Sequence, residues 1–148
     1  MSRRRLYLLA ILVAATIALP FIGKWARSRG AVRCELDGLK IEPRYRVRII
    51  DREGAAHSFC CVHCAERWLA RSGATDATVW VTDEASGSEI DAAQAHYVHG
   101  DTPTNPITGN RLRVFASGAD GEEFIRVFGG QIVPASERPF ANSRAVQP

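Results

Sequence analysis

Residues 58–73 read SFCCVHCAERWLARSG, and three of the chain's four cysteines fall within the five positions 60–64. The stretch opens an amphipathic helix. Cys61, Cys64, Ala65, Trp68 and Leu69 recur at helical spacing and predict its inward stripe. Ser58 is placed to cap it, Arg67 and Arg71 suit its C-terminal end, and Gly73 is placed to stop it. Upstream, YRVRII at 45–50 alternates, with Tyr45, Val47 and Ile49 on one side and arginines on the other, which predicts a half-buried strand. DREG at 51–54 is its turn. A short strand is expected at 39–41, and TVWVT at 78–82 is β-branched enough for another.

The same order recurs further on. A strand lies within Ile90–Val98, RLRVF at 111–115 alternates, and 119–128 reads as a helix with Phe124, Val127 and Phe128 toward the core. Gly129-Gly130 ends that helix, and Gln131–Val133 is a last strand. The expected fold class is therefore α+β, with two similar β-β-α-β halves. Between the halves, HGDTPTNPITGN at 99–110 is polar and rich in proline and glycine. A loop of that length in a compact domain is a candidate binding loop.

The N-terminus belongs to neither half. Arg3, Arg4 and Arg5 precede an uncharged run of 18 residues, Leu6 to Gly23, long enough to enter a bilayer as a helix. The sequence predicts an N-terminal transmembrane or signal helix with a juxtamembrane linker (1–33), favoured as an uncleaved anchor. A metal-binding domain follows (34–138), then a loose tail (139–148). A single span of this type places the soluble domain in the periplasm, attached to the inner membrane. Residues 1–33 hold 7 of the 19 Lys and Arg and none of the acidic residues, so the domain from Cys34 onward carries a net charge of −4. An acidic domain has no electrostatic case for nucleic acid. The basic N-terminal segment suits anionic lipid.

Three chemistries fit the cysteines. Thiolates select soft cations such as Cu(I) and zinc. Cys61 and Cys64, or Cys60 and Cys64, can share one helix face, and Cys34 can close the set from a neighbouring strand. Alternatively, Cys61-Val62-His63-Cys64 is a C-x-x-C at a helix start, where thiol pKa values fall and disulfide exchange becomes possible. The third reading is a disulfide scaffold in an exported domain, with Cys34 bridged to the cluster. His63 sits between two sulfurs and is a further candidate ligand, while His96 and His99 flank the start of the long loop. His57, Asp83, Glu84 and Asp91 read as turn and cap residues, and Trp68 and Trp80 as core. No Ser/His/Asp set, phosphate-binding glycine loop or paired-carboxylate pattern is present.

Several short pieces add a resemblance. They are the Asp37-Gly38 turn after Cys34, Phe59-Cys60, Val81-Thr82-Asp83 and Glu89-Ile90-Asp91-Ala92. Then come Ala95-His96-Tyr97-Val98, the Gly109–Ser117 strand, and Glu123-Phe124 leading to Gly129-Gly130-Gln131-Ile132-Val133. In this succession the chain resembles the nitrous oxide reductase accessory protein (NosL) family over nearly all of 34–133. The segment from Phe59-Cys60 to Cys64 is also similar to the small TRASH or YHS cysteine domains. The family resemblance implies a membrane-attached, outward-facing protein that binds Cu(I) and supplies copper to nitrous oxide reductase assembly, without catalysing a reaction. The family's usual C-G-M is here Cys34-Glu35-Leu36, and Thr108 stands where a second methionine is usual. The only methionine is Met1. A more sulfur-rich site that also tolerates zinc is therefore expected. Cys34, Cys61 and Cys64 are the leading metal ligands, with Cys60 and His63 next. The implied partner is a copper-accepting protein or assembly factor, and the alternative is a thiol–disulfide protein using Cys61 and Cys64.

Overall fold

The computed structural model describes residues 32–74 and 76–140. The predicted anchor and tail therefore lie outside the described residues, apart from 32, 33, 139 and 140. Among the described residues no helix is long and apolar enough to cross a membrane.

The fold is α+β, with two antiparallel sheets and two helices. The first sheet comprises β1 (Val47–Ile50), β2 (Ala56–Phe59), β3 (Thr78–Thr82) and β4 (Glu89–Asp91), in the order β2-β1-β3-β4. The second comprises β5 (His96–His99), β6 (Leu112–Phe115) and β7 (Gln131–Ile132), in the order β6-β5-β7. Helix α1 (Val62–Ser72) lies between β2 and β3 in the chain, and α2 (Gly118–Phe128) between β6 and β7. In both sheets the strand that opens a hairpin is central, flanked by its hairpin partner and by the strand that follows the helix.

Alternation decides the packing of β1. Val47 and Ile49 are buried and pair across the sheet with Phe59, Val81, His57 and Val79. Helix α1 covers β1 and β2 with Val62, Cys64 and Ala65, while Trp68 and Leu69 pack at the margin of the same core. The arginines take the other face: Arg46 and Arg48 both bind Glu89, at 3.0 and 2.7 Å, and the Arg48 guanidinium lies over Trp80. Gly73 ends α1 in the left-handed conformation, its amide donating to the Leu69 carbonyl, as a C-terminal glycine should.

Several sequence expectations need correction. Residues 39–41 form no strand beyond an isolated bridge, Arg33 to Lys40. Pro43 follows closely, lacks an amide donor, and opens a 3-10 turn (Pro43–Tyr45) that holds Tyr45 out of β1. The hairpin partner of β1 is instead Ala56–Phe59, formed because Asp51 closes the turn: its side chain accepts from Ala55 N–H at 2.8 Å. Ser58 accordingly lies in β2, and Cys61 is the N-cap of α1, without a side-chain capping bond. Ile90–Val98 is two strands in two sheets, separated by a turn in which the Asp91 side chain accepts from Ala93 N–H. Helix α2 turns Gly121 onto the second sheet, leaving Val127 and Phe128 on the surface at 54% and 62% exposure. Asp83 and Glu84 are buried polar groups rather than surface turn residues.

One glycine is dictated by close approach. At Gly130 φ is +124°, and a Cβ there would lie 2.5 Å from the His99 carbonyl oxygen. Backbone cannot move aside as a side-chain tip can, so Gly130→Ala is expected to destabilise the fold by about 2–3 kcal/mol. Denaturant unfolding measures this, and a loss well under 1 kcal/mol would show that β7 can detach from β5 at little cost.

Candidate metal centre

Two short segments and one helix end bring the donors together. Residues 34–39 form a tight turn: Cys34 N–H donates to the Leu39 carbonyl and Gly38 N–H to the Cys34 carbonyl, both at 2.8 Å. Gly38 takes the positive φ this turn requires. The turn is fastened to β2 by Glu35, whose amide donates to the Ser58 carbonyl and whose carboxylate accepts from Ser58 N–H and meets His57. Asp37 splits its carboxylate: one oxygen accepts from Leu39 N–H, and the other faces the thiols of Cys64 at 3.3 Å and Cys60 at 3.5 Å. Cys60 follows directly on β2, and Cys64 lies in the first turn of α1, where free amides and the helix dipole favour a thiolate. Cys60 and Cys64 stand 3.6 Å apart.

The sulfurs of Cys34, Cys60 and Cys64 and a carboxylate oxygen of Asp37 all lie within 4.8 Å of one another. Donors held about 2.3 Å from a common ion sit roughly 3.7–4.0 Å apart, so modest contraction would close this set. All four cysteines are free and buried. Burial pushes the Cys60 and Cys64 thiols well above their ordinary range, and the neighbouring Cys61 sulfur adds to the effect. Burial acts in the same sense on Asp37, but the Leu39 amide and the thiols of Cys34, Cys64 and Cys60 outweigh it and hold the carboxyl low. A soft cation would supply the positive charge these groups need to ionise together, and its binding would release protons.

The predicted site residues are placed differently from one another. Cys34, Cys60 and Cys64 converge. Cys61, at the N-cap, points its sulfur at the Thr108 hydroxyl (3.7 Å) and reaches Cys60 at 3.9 Å, outside the four-donor set. His63 is exposed on the far side of α1's first turn. It lines an open cleft of about 660 Å³ together with His99 and Thr108. Asp37 had been read only as half of a turn, although a carboxylate three positions after a cysteine is a usable ligand spacing. Asn105 was likewise seen only as part of the loop, yet its side-chain amide donates to the Cys60 sulfur at 3.5 Å.

His57 supports the site from behind. Its ring lies against Trp68, with centroids 4.4 Å apart, between the carboxylates of Glu35 (2.7 Å) and Asp51 (3.1 Å). Chiefly through the Glu35 hydrogen bond, against a desolvation cost, its pKa is raised. A raised histidine pKa stabilises the fold fully below the unfolded value and ceases to do so as pH rises through the folded one. The stability difference between wild type and His57→Gln is therefore expected to be larger near about pH 6 than near about pH 9. Urea unfolding at the two pH values measures it, and a constant difference would mean that the two carboxylates do not act on the ring.

Residues 30–139 match the NosL family model, and the chain belongs to that family. No curated protein matches it. Among solved structures it is similar to the crystal structure of the copper chaperone NosL from Shewanella denitrificans, with a TM-score of 0.61 and 21% identity over 72% of this chain and 88% of that one.

Proposed function

We propose that this protein is a copper-binding accessory protein that receives Cu(I) and passes it to an acceptor, with no reaction of its own. The observation that carries the reading is the convergence of Cys34, Cys60, Cys64 and Asp37 on one point. Three thiolates suit Cu(I), and a carboxylate as fourth donor makes zinc a competitor. Family membership and the copper-chaperone relative support the same cargo. Cys34, Cys60 and Cys64 bind the ion, while Cys61 stands beside Cys60 as the next sulfur. His63 stays at the surface of the neighbouring cleft. Transfer proceeds by ligand exchange: an acceptor thiolate forms its bond to copper as a protein thiolate releases it, without change of oxidation state.

The finer reading has the domain held outside the inner membrane by the hydrophobic N-terminal segment, serving nitrous oxide reductase assembly. It rests on the sequence of residues 1–33 and on the family. Titration of the reduced, anaerobic full-length chain with Cu(I), against a chelator of known affinity, tests the cargo. Tight binding of one equivalent is expected, and failure to compete at any ratio would remove the proposal.

A further inference from the structure

The three cysteines of the cluster do not face the same surroundings. Cys60 lines an open cleft of about 300 Å³ together with Leu39, Lys40, Asn105, Pro106 and Ile107. Ile107, at the cleft's rim, is 75% exposed. Beside Cys60, Asn105 uses both ends of its side chain. Its carbonyl oxygen accepts from the amides of Ile107 (2.9 Å) and Thr108 (3.3 Å), closing the loop's turn. Those two N–H groups can only meet an oxygen, so they fix the amide's orientation and leave its NH2 against the Cys60 sulfur. The backbone repeats the tie: Gly109 N–H donates to the Asn105 carbonyl, and Thr104 N–H to the Asn110 carbonyl at 2.7 Å.

We propose that Asn105 is a positioning residue of the metal centre, donating to the Cys60 sulfur and tying that sulfur to the 105–109 turn. The inference rests on the reading of the cysteine cluster as a metal site. A hydrogen bond to a ligating thiolate withdraws charge from it and fixes its direction, and such outer partners commonly govern affinity by 10–100-fold. Because the same amide holds the turn, loading the sulfur also orders the loop that rims the cleft. An acceptor approaching through this cleft meets Cys60 and Asn105 together.

Two variants separate the sulfur contact from the turn. Asn105→Asp keeps an oxygen for Ile107 and Thr108 N–H but loses the donor, whereas Asn105→Ala loses both without adding charge. Each full-length variant is compared with wild type using Cu(I) competition and the sulfur-to-cobalt charge-transfer band of the Co(II)-loaded protein. Both variants are expected to bind Cu(I) about 10–100-fold more weakly. Both should also shift the band to lower energy, because an undonated sulfur holds its electrons less tightly. An effect confined to Asn105→Ala would assign the residue to the turn alone, and one confined to Asn105→Asp would be due to the added carboxylate. Either result, or two variants equal to wild type, overturns the proposal. Wild-type protein that binds neither ion would instead refute the metal reading itself.

Discussion

Cys64→Ser, Cys60→Ser and Cys34→Ser are each expected to weaken Cu(I) binding by roughly 10²–10³-fold, whereas Cys61→Ser changes it less than about tenfold and His63→Ala not measurably. The magnitude follows from the size of a thiolate-rich site. A four-ligand site of this kind supplies about 10–16 kcal/mol, or about 3–4 kcal/mol per donor, and each 1.4 kcal/mol is a factor of ten. The ranking follows from position. Cys34, Cys60 and Cys64 share one point with Asp37, while Cys61 faces Thr108 and His63 faces solvent. Asp37→Asn should fall between the two groups, because it removes charge but keeps an oxygen and the Leu39 hydrogen bond. Competition titration of the five single variants measures the order. Serine preserves shape in these buried positions, and a melting curve on each variant shows that the fold survives. Collapse of binding in Cys61→Ser together with survival in Cys60→Ser would mean that α1 presents a different pair of sulfurs to the ion.

The amphipathic stripe of α1 and the alternation of β1 could be read directly, because both are set by burial on one face. Ala65 and Ile49 have no other stable place for their side chains. Strand β2 was hidden because Ala56, His57 and Ser58 carry no β signal of their own. They are strand only because Asp51 closes the hairpin and β1 offers its edge. In the site, sequence spacing identified the right residue types but not their directions. Counting three or four along a helix treats Cys60, Cys61 and Cys64 as equals. The N-cap lies where strand becomes helix, and its extended backbone turns Cys61 away from the other sulfurs. Asp37 and Asn105 reach the cluster from 23 and 45 residues away from Cys60, a relation that only the folded chain creates. The same holds for Glu84 and Arg113, 29 residues apart.

That pair carries the second large prediction. Arg113→Met is expected to destabilise the protein by about 3–5 kcal/mol, the usual consequence of leaving one partner of a buried pair uncompensated. Arg113 lies on β6 and is 8% exposed, and Glu84 just after β3 is 7% exposed. One guanidinium nitrogen of Arg113 donates to the Glu84 carboxylate (3.3 Å) and the Tyr45 hydroxyl (3.1 Å). The other donates to the carbonyl and hydroxyl of Thr102, on the 99–110 loop. Glu84 in turn accepts from Val114 N–H through its carboxylate and from Arg44 through its carbonyl. The pair therefore fastens the two sheets and the loop to one another. Burial raises the Glu84 pKa even with Arg113 and the Val114 amide opposing it. Without Arg113 the pKa must rise further. An acid whose folded pKa lies above its unfolded one favours the folded state more as pH falls, because the folded chain then binds the extra proton. The cost of Arg113→Met is accordingly expected to shrink between about pH 7 and about pH 5. Adding Glu84→Gln should restore much of the loss, since it removes the stranded charge but keeps an acceptor for Val114. Denaturant unfolding of the single and double variants at both pH values decides the matter. A cost for Arg113→Met below about 1 kcal/mol at neutral pH, unchanged on acidification, would show that water reaches this pair as it reaches a surface salt bridge.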